Sequence, residues 1–322
     1  MEVLNNQSAS EPTAAHSITR LTDVWSFGRA PWIWWHMLSF DAPTVAVLWC
    51  WLFATVFGIR FSWIVLSTLA LGTWCVYIAD RLLDGILSRN PAILRDRHWF
   101  YVRHRRFFVR TWITAAIPLG YLILFRVQPS VRRDDILLGL IGVSYFGLIH
   151  GLYRGRGCRF PKELAVGYLF AIATAVPVWT RTTVPLERAS LALGVVAFGT
   201  ACWLNCVAIQ VWEDAEAREL MHDALGLDSD ICFAADVEGS GLARFPDECL
   251  MAFAGTLAAA NICLAVLTAK TTAWPMFACV AFSAFFFAIL IRYNGRFSAL
   301  TLRIAADAAL LTPLVFLLHG LK

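Results

Sequence analysis

The chain has 322 residues, 59% of them hydrophobic and 16% charged, with a mean hydropathy of +0.62. Soluble chains carry about 25% charged residues, and a water-facing surface could not carry the 14 Trp and 23 Phe found here without aggregating. A disordered chain, a disulfide scaffold, a collagen-like chain and a soluble two-domain enzyme are all excluded, which leaves a polytopic membrane protein built as an all-α bundle.

Residues 1–30 are polar and read as a disordered cytoplasmic tail with no cleavable signal peptide; residues 31–322 read as a single transmembrane helical domain. A span needs about 20 mostly apolar residues. Nine stretches qualify, at approximately 32–58, 61–83, 109–126, 135–153, 163–180, 188–212, 248–269, 273–292 and 301–319. The breaks between them carry turn chemistry or charge, as at Gly58-Ile59-Arg60, Gln128-Pro129 and Asn294-Gly295-Arg296. No internal repeat is apparent, which argues against a transporter built from duplicated halves. The nine cysteines form no CxxC pair, and six of them (Cys50, Cys75, Cys202, Cys206, Cys263, Cys279) sit in apolar runs as small hydrophobes.

The 27 Lys and Arg against 23 Asp and Glu leave a net charge of only +4, so placement matters more than the sum. With nine spans, one side holds the N-terminus and the loops after spans 2, 4, 6 and 8. That side receives more than twice as many Lys and Arg as the other, which predicts a cytoplasmic N-terminus and an external C-terminus.

At the end of span 2, Asp80 and Asp84 lie four residues apart and share one helical face. Like charges at that spacing repel, and carboxylates at a membrane face need a compensating cation. Arg81 points off that face. Mg²⁺ is commonly held by one or two carboxylates together with substrate phosphate oxygens, which would satisfy both aspartates. The alternative is a helix end solvated among the lipid headgroups.

A second polar cluster closes span 6 on the same side. Asn205 and Glu216 fall on one narrow stripe, with Glu213 and Asp214 beside it and Glu219 beyond. Four acids around one helix exit suit a cation site, and they suit a solvated amphipathic extension equally well. Between spans 2 and 3, Arg97, Arg103 and Arg105 alternate with aromatic residues. Guanidinium groups recognise phosphate in bidentate fashion, and the aromatic spacing suits a helix lying at the headgroups. The same loop is also explained by orientation charge and contact with anionic lipid; nucleic acid is not needed to account for it. Within the spans stand Asp41, preceded by His36, together with Asn261 and Asp307. Each is either a functional group or a hydrogen bond between helices.

Nine spans with acidic motifs at the ends of spans 2 and 6 resemble the UbiA superfamily of intramembrane prenyltransferases. The family's first motif reads N-D-x-x-D-x-x-x-D. Asp80 and Asp84 match its last two acids, and Val76 and Tyr77 stand at its Asn-Asp pair. The second reads roughly D-x-x-Y-A-x-x-D-x-x-x-D. An ungapped placement sets Asn205 and Glu216 on its outer acids and Trp212 on the middle one; a two-residue shift sets Asp214 on the middle acid, with Val207 and Arg218 outside.

The resemblance implies a bacterial inner-membrane enzyme that uses Mg²⁺ to act on a prenyl diphosphate and transfers the prenyl group to a lipophilic or aromatic acceptor. Asp80, Asp84, Asn205 and Asp214 would serve catalysis, and Asp80, Asp84, Glu213, Asp214 and Glu216 would hold metal. Arg97, Arg103 and Arg105, with Lys162 at the start of span 5, would bind the diphosphate; Glu163 could instead be the ion-pair partner of Lys162. Three alternatives stay open: intramembrane terpene cyclisation, a non-enzymatic lipid-binding or transport protein of the same fold, and an ion-coupled transporter using Asp41, Asp80 and Asp307.

Overall fold

Long apolar runs with few β-breaking turns close their backbone hydrogen bonds within each segment, the only solution open to a lone segment in lipid. The structure, a computed structural model, describes residues 30–87, 96–147, 162–225 and 246–319. Among these residues every regular element is helical: α1 (Pro31–Met37), α2 (Asp41–Val56), α3 (Trp63–Leu87), α4 (Asp96–Arg103), α5 (Arg105–Tyr121), α6 (Pro129–Gly147), α7 (Lys162–Trp179), α8 (Pro185–Leu225), α9 (Asp247–Leu267), α10 (Trp274–Arg292), α11 (Ala299–Ala309) and α12 (Leu314–His319). A π-helical turn, Leu122–Arg126, extends α5.

Among the described residues, six helical segments are long and apolar enough to cross a membrane: Trp63–Leu83, Arg105–Arg126, Lys162–Trp179, Pro185–Glu216, Asp247–Leu267 and Trp274–Arg292. Counting the bent pair α1–α2 as one span gives seven. The first and last departures from the nine expected spans have local causes. The first stretch breaks at Leu38-Ser39-Phe40, where the chain turns by 89°. The fourth, expected at 135–153, is described only as far as Gly147, as α6, which opens on Arg132, Arg133, Asp134 and Asp135. The last divides into α11 and α12 before Pro313, which has no N–H to continue a helix.

Large apolar side chains lie exposed along these helices, among them Ile117 and Phe125 on the α5 rod, Leu267 on α9 and Phe282 and Phe285 on α10. Such a continuous exposed apolar surface belongs against acyl chains rather than water. In α1, Trp32, Trp34 and Trp35 are exposed while His36 and Met37 are buried. That distribution fits a short helix at the headgroup level, where Trp concentrates.

Lipid tails are as apolar as Leu, so close packing rather than water exclusion holds the bundle together. At its centre, fully buried Trp49 of α2 stacks on Phe198 of α8 with ring centroids 4.0 Å apart and donates its indole N–H to the Leu310 carbonyl at 2.8 Å. Around it α2 packs against α3, α7, α10 and α11. A smaller core joins α3 to α4 and α5 through Ile78, Leu82, Tyr101 and Phe108, with the Tyr101 and Phe108 rings stacked 4.0 Å apart.

Helices α7 and α8 approach closely at Gly167. A Cβ there would lie 2.6 Å from the Trp203 backbone nitrogen and 2.9 Å from its Cα. These atoms belong to the backbone and cannot rotate away. Gly167→Val is therefore expected to force the two helices apart and cost about 1–3 kcal/mol, read as a fall in the thermal midpoint of detergent-solubilised protein. An unchanged midpoint would contradict this packing.

Candidate functional site

The bend between α1 and α2 is where polar groups gather. Ser39 there has φ of +59°, in the left-handed region that L residues rarely occupy. Its hydroxyl meets the Tyr101 hydroxyl at 2.7 Å, which ties the bend to α4. The Trp74 indole donates to the Leu38 carbonyl at 3.0 Å and ties it to α3. The bend thereby brings His36, the penultimate residue of α1, against Asp41, the first residue of α2.

His36 is 2% exposed, and its Nδ1 lies 2.8 Å from Asp41 Oδ2 and 3.4 Å from Asp307 Oδ2. A carboxylate oxygen of Asp41 and one of Asp307 lie within 4.8 Å of each other. Each carboxylate has its other oxygen occupied: Asp41 Oδ1 accepts the Ala42 backbone N–H at 2.9 Å, and Asp307 Oδ1 accepts from Asn205 Nδ2 at 3.1 Å. Arg81 of α3, 3% exposed, donates from Nη1 to the His36 carbonyl at 3.2 Å. Its guanidinium sits 5.8 Å from the Tyr101 ring centroid, and its charge acts on both aspartates. Five helices, α1, α2, α3, α8 and α11, thus meet in one charged cluster. The sequence marks Asp41, Asp307 and His36 only as polar residues inside apolar runs; their mutual contact depends on the 89° turn, which no local periodicity announces.

Asp80 precedes Arg81 on α3 and is half-buried. The charges of Asp307, Glu163, Lys162 and Asp80 all act on the Cys206 thiol, one residue beyond Asn205. Gly167 of α7 packs on the Trp203 backbone of α8, which sets the start of α7 against this part of α8. Tyr77, one turn before Asp80, meets Phe170 of α7 edge-to-face with centroids 6.2 Å apart and feels the charges of Asp41 and Asp307.

The membrane-crossing part of α8 has 32 residues and spans about 48 Å, well beyond a hydrocarbon core of about 30 Å. Its C-terminal end is acidic. Along it, Glu213 Oε1 accepts from Arg303 Nη1 of α11 at 2.5 Å. Both Asp214 oxygens accept from Gln210 Nε2, at 3.1 and 3.0 Å. Glu216 is exposed.

Of the residues singled out in the sequence, the structure brings together Asp80, Lys162 and the Asn205–Cys206 turn. Glu213 turns instead to Arg303, and Arg103 and Arg105 are exposed at the α4–α5 corner. Asp84 continues α3 one turn past Asp80, and Arg97 lies in α4, but the side chains of both, and of Glu219, are outside the described set. Residues 1–29 and the basic segment with Arg154, Arg156 and Arg159 also lie outside it. What the sequence misses is the role of Arg81, which faces the His36 cluster rather than compensating Asp80.

Two chemically different polar centres result. The His36–Asp41–Asp307 cluster offers nitrogen and oxygen donors deep in the bundle. The Asp80–Lys162 end offers carboxylate oxygens and an ammonium beside an aromatic edge, a set suited to a hard cation and a phosphate. The chain matches no protein-family model, and neither curated proteins nor solved structures show a significant match.

Proposed function

We propose that this chain is an integral-membrane enzyme that binds a prenyl diphosphate with Mg²⁺ and transfers the prenyl group to a lipophilic or aromatic acceptor. The observation that carries this reading is the packing of α3 on α7 at Tyr77 and Phe170, with ring centroids 6.2 Å apart, and of α7 on α8 at Gly167 and the Trp203 backbone, which draws together the helix ends that bear Asp80, Lys162 and the acidic run of α8. The positive-inside distribution of Lys and Arg supports placing this end in the cytoplasm, with a cytoplasmic N-terminus and an external C-terminus, in a bacterial inner membrane.

The donors at this end are oxygens, which suits Mg²⁺; Asp80, Asp84 and Asp214 would hold it. Glu213, paired with Arg303, fits less well as a ligand than as a brace between α8 and α11. When bound, the ion offsets the negative charge that builds on the leaving diphosphate. Lys162 adds a fixed cation for the same charge, and Arg103 and Arg105 are exposed where they would draw the diphosphate from the headgroup region. In the transfer, the C1–O bond of the allylic diphosphate breaks and pyrophosphate leaves with the electron pair. The acceptor's electron-rich carbon bonds to C1 and then releases a proton. The Tyr77–Phe170 pair supplies aromatic surface beside this point, where a ring face favours an allylic cation by about 0.5–2 kcal/mol.

A prenyl thiolodiphosphate, which resists ionisation, tests binding apart from chemistry. Purified protein in nanodiscs is expected to bind it with Mg²⁺ and to lose about tenfold or more in affinity with EDTA or in Lys162→Ala. Binding indifferent to both would contradict a diphosphate site at this end. A second reading, a cation-coupled transport or binding protein, is favoured by the His36–Asp41–Asp307 cluster, whose buried charge exceeds what helix packing requires. Cation-dependent binding or uptake without pyrophosphate release would select it.

A further inference from the structure

We propose that His36, Asp41 and Asp307 form a first-row divalent metal site, separate from the Mg²⁺ and diphosphate assigned to the Asp80 end and independent of that assignment. One donor atom from each residue lies within 4.8 Å of the others. With metal–nitrogen and metal–oxygen bonds of about 2.0–2.2 Å, ligands of one ion stand roughly 3–4 Å apart, so closure needs only a small inward shift.

Three features point to a ligand rather than to a salt bridge. First, His36 is buried to 2% exposure, yet neither ring nitrogen completes an aligned hydrogen bond, although Nδ1 is close to both carboxylates. Donors that crowd a common point without aligning on one another are arranged for something between them. Second, each aspartate has Oδ1 held by a neutral donor and leaves Oδ2 toward the imidazole. This is the outer-shell pattern that orients metal ligands. Asn205, 8% exposed, gives its amide N–H to Asp307 while its own Oδ1 stays buried without a partner. Third, the two carboxylate side chains remain 11% and 19% exposed, against 3% for His36, which leaves an access route on their side.

The donor set selects the ion. Mg²⁺ and Ca²⁺ prefer oxygen alone, and Cu(I) prefers sulfur. One imidazole with two carboxylates suits Mn²⁺, Fe²⁺, Co²⁺ or Zn²⁺, and three protein ligands leave a further position open. Two carboxylates, a neutral imidazole, a divalent ion and nearby Arg81 sum to one positive charge. An anionic ligand in the open position, such as hydroxide or a carboxylate or phosphate oxygen of a bound molecule, completes the balance.

The test uses full-length protein in nanodiscs, stripped with chelator and titrated with Co²⁺ in the absence of any diphosphate. One equivalent is expected to bind, with the visible d–d absorption of a low-symmetry site. Affinity is expected to fall more than about 100-fold in His36→Gln or Asp307→Asn, and about 10–100-fold in Asn205→Ala, the range typical of outer-shell partners. Asp80→Asn is expected to keep the cobalt, which separates this site from the proposed Mg²⁺ site. No cobalt bound to the native chain, or full retention by a folded His36→Gln, would overturn the proposal. If the ligand variants do not fold, X-ray absorption of the cobalt-loaded native protein decides: imidazole ring scattering is required, and its absence rejects the site.

Discussion

Arg81→Leu is expected to destabilise the protein by about 3–5 kcal/mol, the cost of removing one partner from a buried charged cluster. Arg81 is 3% exposed, and no bulk water replaces it. Its guanidinium holds the His36 carbonyl, lies near the Tyr101 ring and sets one positive charge against Asp41 and Asp307. Leucine would leave the two carboxylates beside the His36 imidazole without the guanidinium charge. Arg81→Lys keeps the charge but loses the planar group that reaches a carbonyl and a ring together, so a smaller loss is expected. The double variant Arg81→Leu/Asp41→Asn should recover part of the stability, because the uncompensated carboxylate is then gone. The measurement is the thermal midpoint of each purified variant in one detergent. An Arg81→Leu protein as stable as the native one would show that the cluster does not hold α1, α2 and α3 together.

Asp80→Asn is expected to lower the rate of pyrophosphate release from a prenyl diphosphate at least about 100-fold, with little change in folding. The substitution keeps the size of the side chain and removes its charge. Asp80 is half-buried at the end of α3, and its charge is felt at Cys206 together with that of Lys162. A cation at this end would lose a ligand, and the leaving group would lose the ion that offsets its charge. The effect should fall on the chemical step, with thiolodiphosphate affinity reduced less than turnover. Equal loss in both would assign Asp80 to binding alone, and turnover at the native rate would remove it from the site.

The helical class and the segments long and apolar enough to cross a membrane were legible in composition and run length, because such segments can each be found without their neighbours. Six of the expected spans recur as single helices within a few residues of their expected ends. The first and last differ where a local feature outweighs hydropathy, at the left-handed Ser39 and at Pro313, and the fourth runs beyond the described residues. The site was legible only in part. Asp80, Lys162 and Asn205 could be picked out because charged or amide groups at membrane-span ends are costly. Their partners could not, since contacts between residues 36, 41, 81, 205 and 307 depend on how five helices pack. Arg81 illustrates the limit. Helical geometry correctly turns it away from the Asp80 face, yet nothing in the sequence says that it turns toward His36.

Pyrophosphate release by native protein in nanodiscs tests the chemistry proposed at the Asp80 end most directly. The protein would be supplied with Mg²⁺, a series of prenyl diphosphates of different chain length, and lipophilic aromatic acceptors. Pyrophosphate release that requires Mg²⁺ and disappears in Asp80→Asn is the expected result. No release from any chain length, with folded protein and with cobalt still bound at His36, would contradict the enzyme and leave a cation-binding membrane protein in its place.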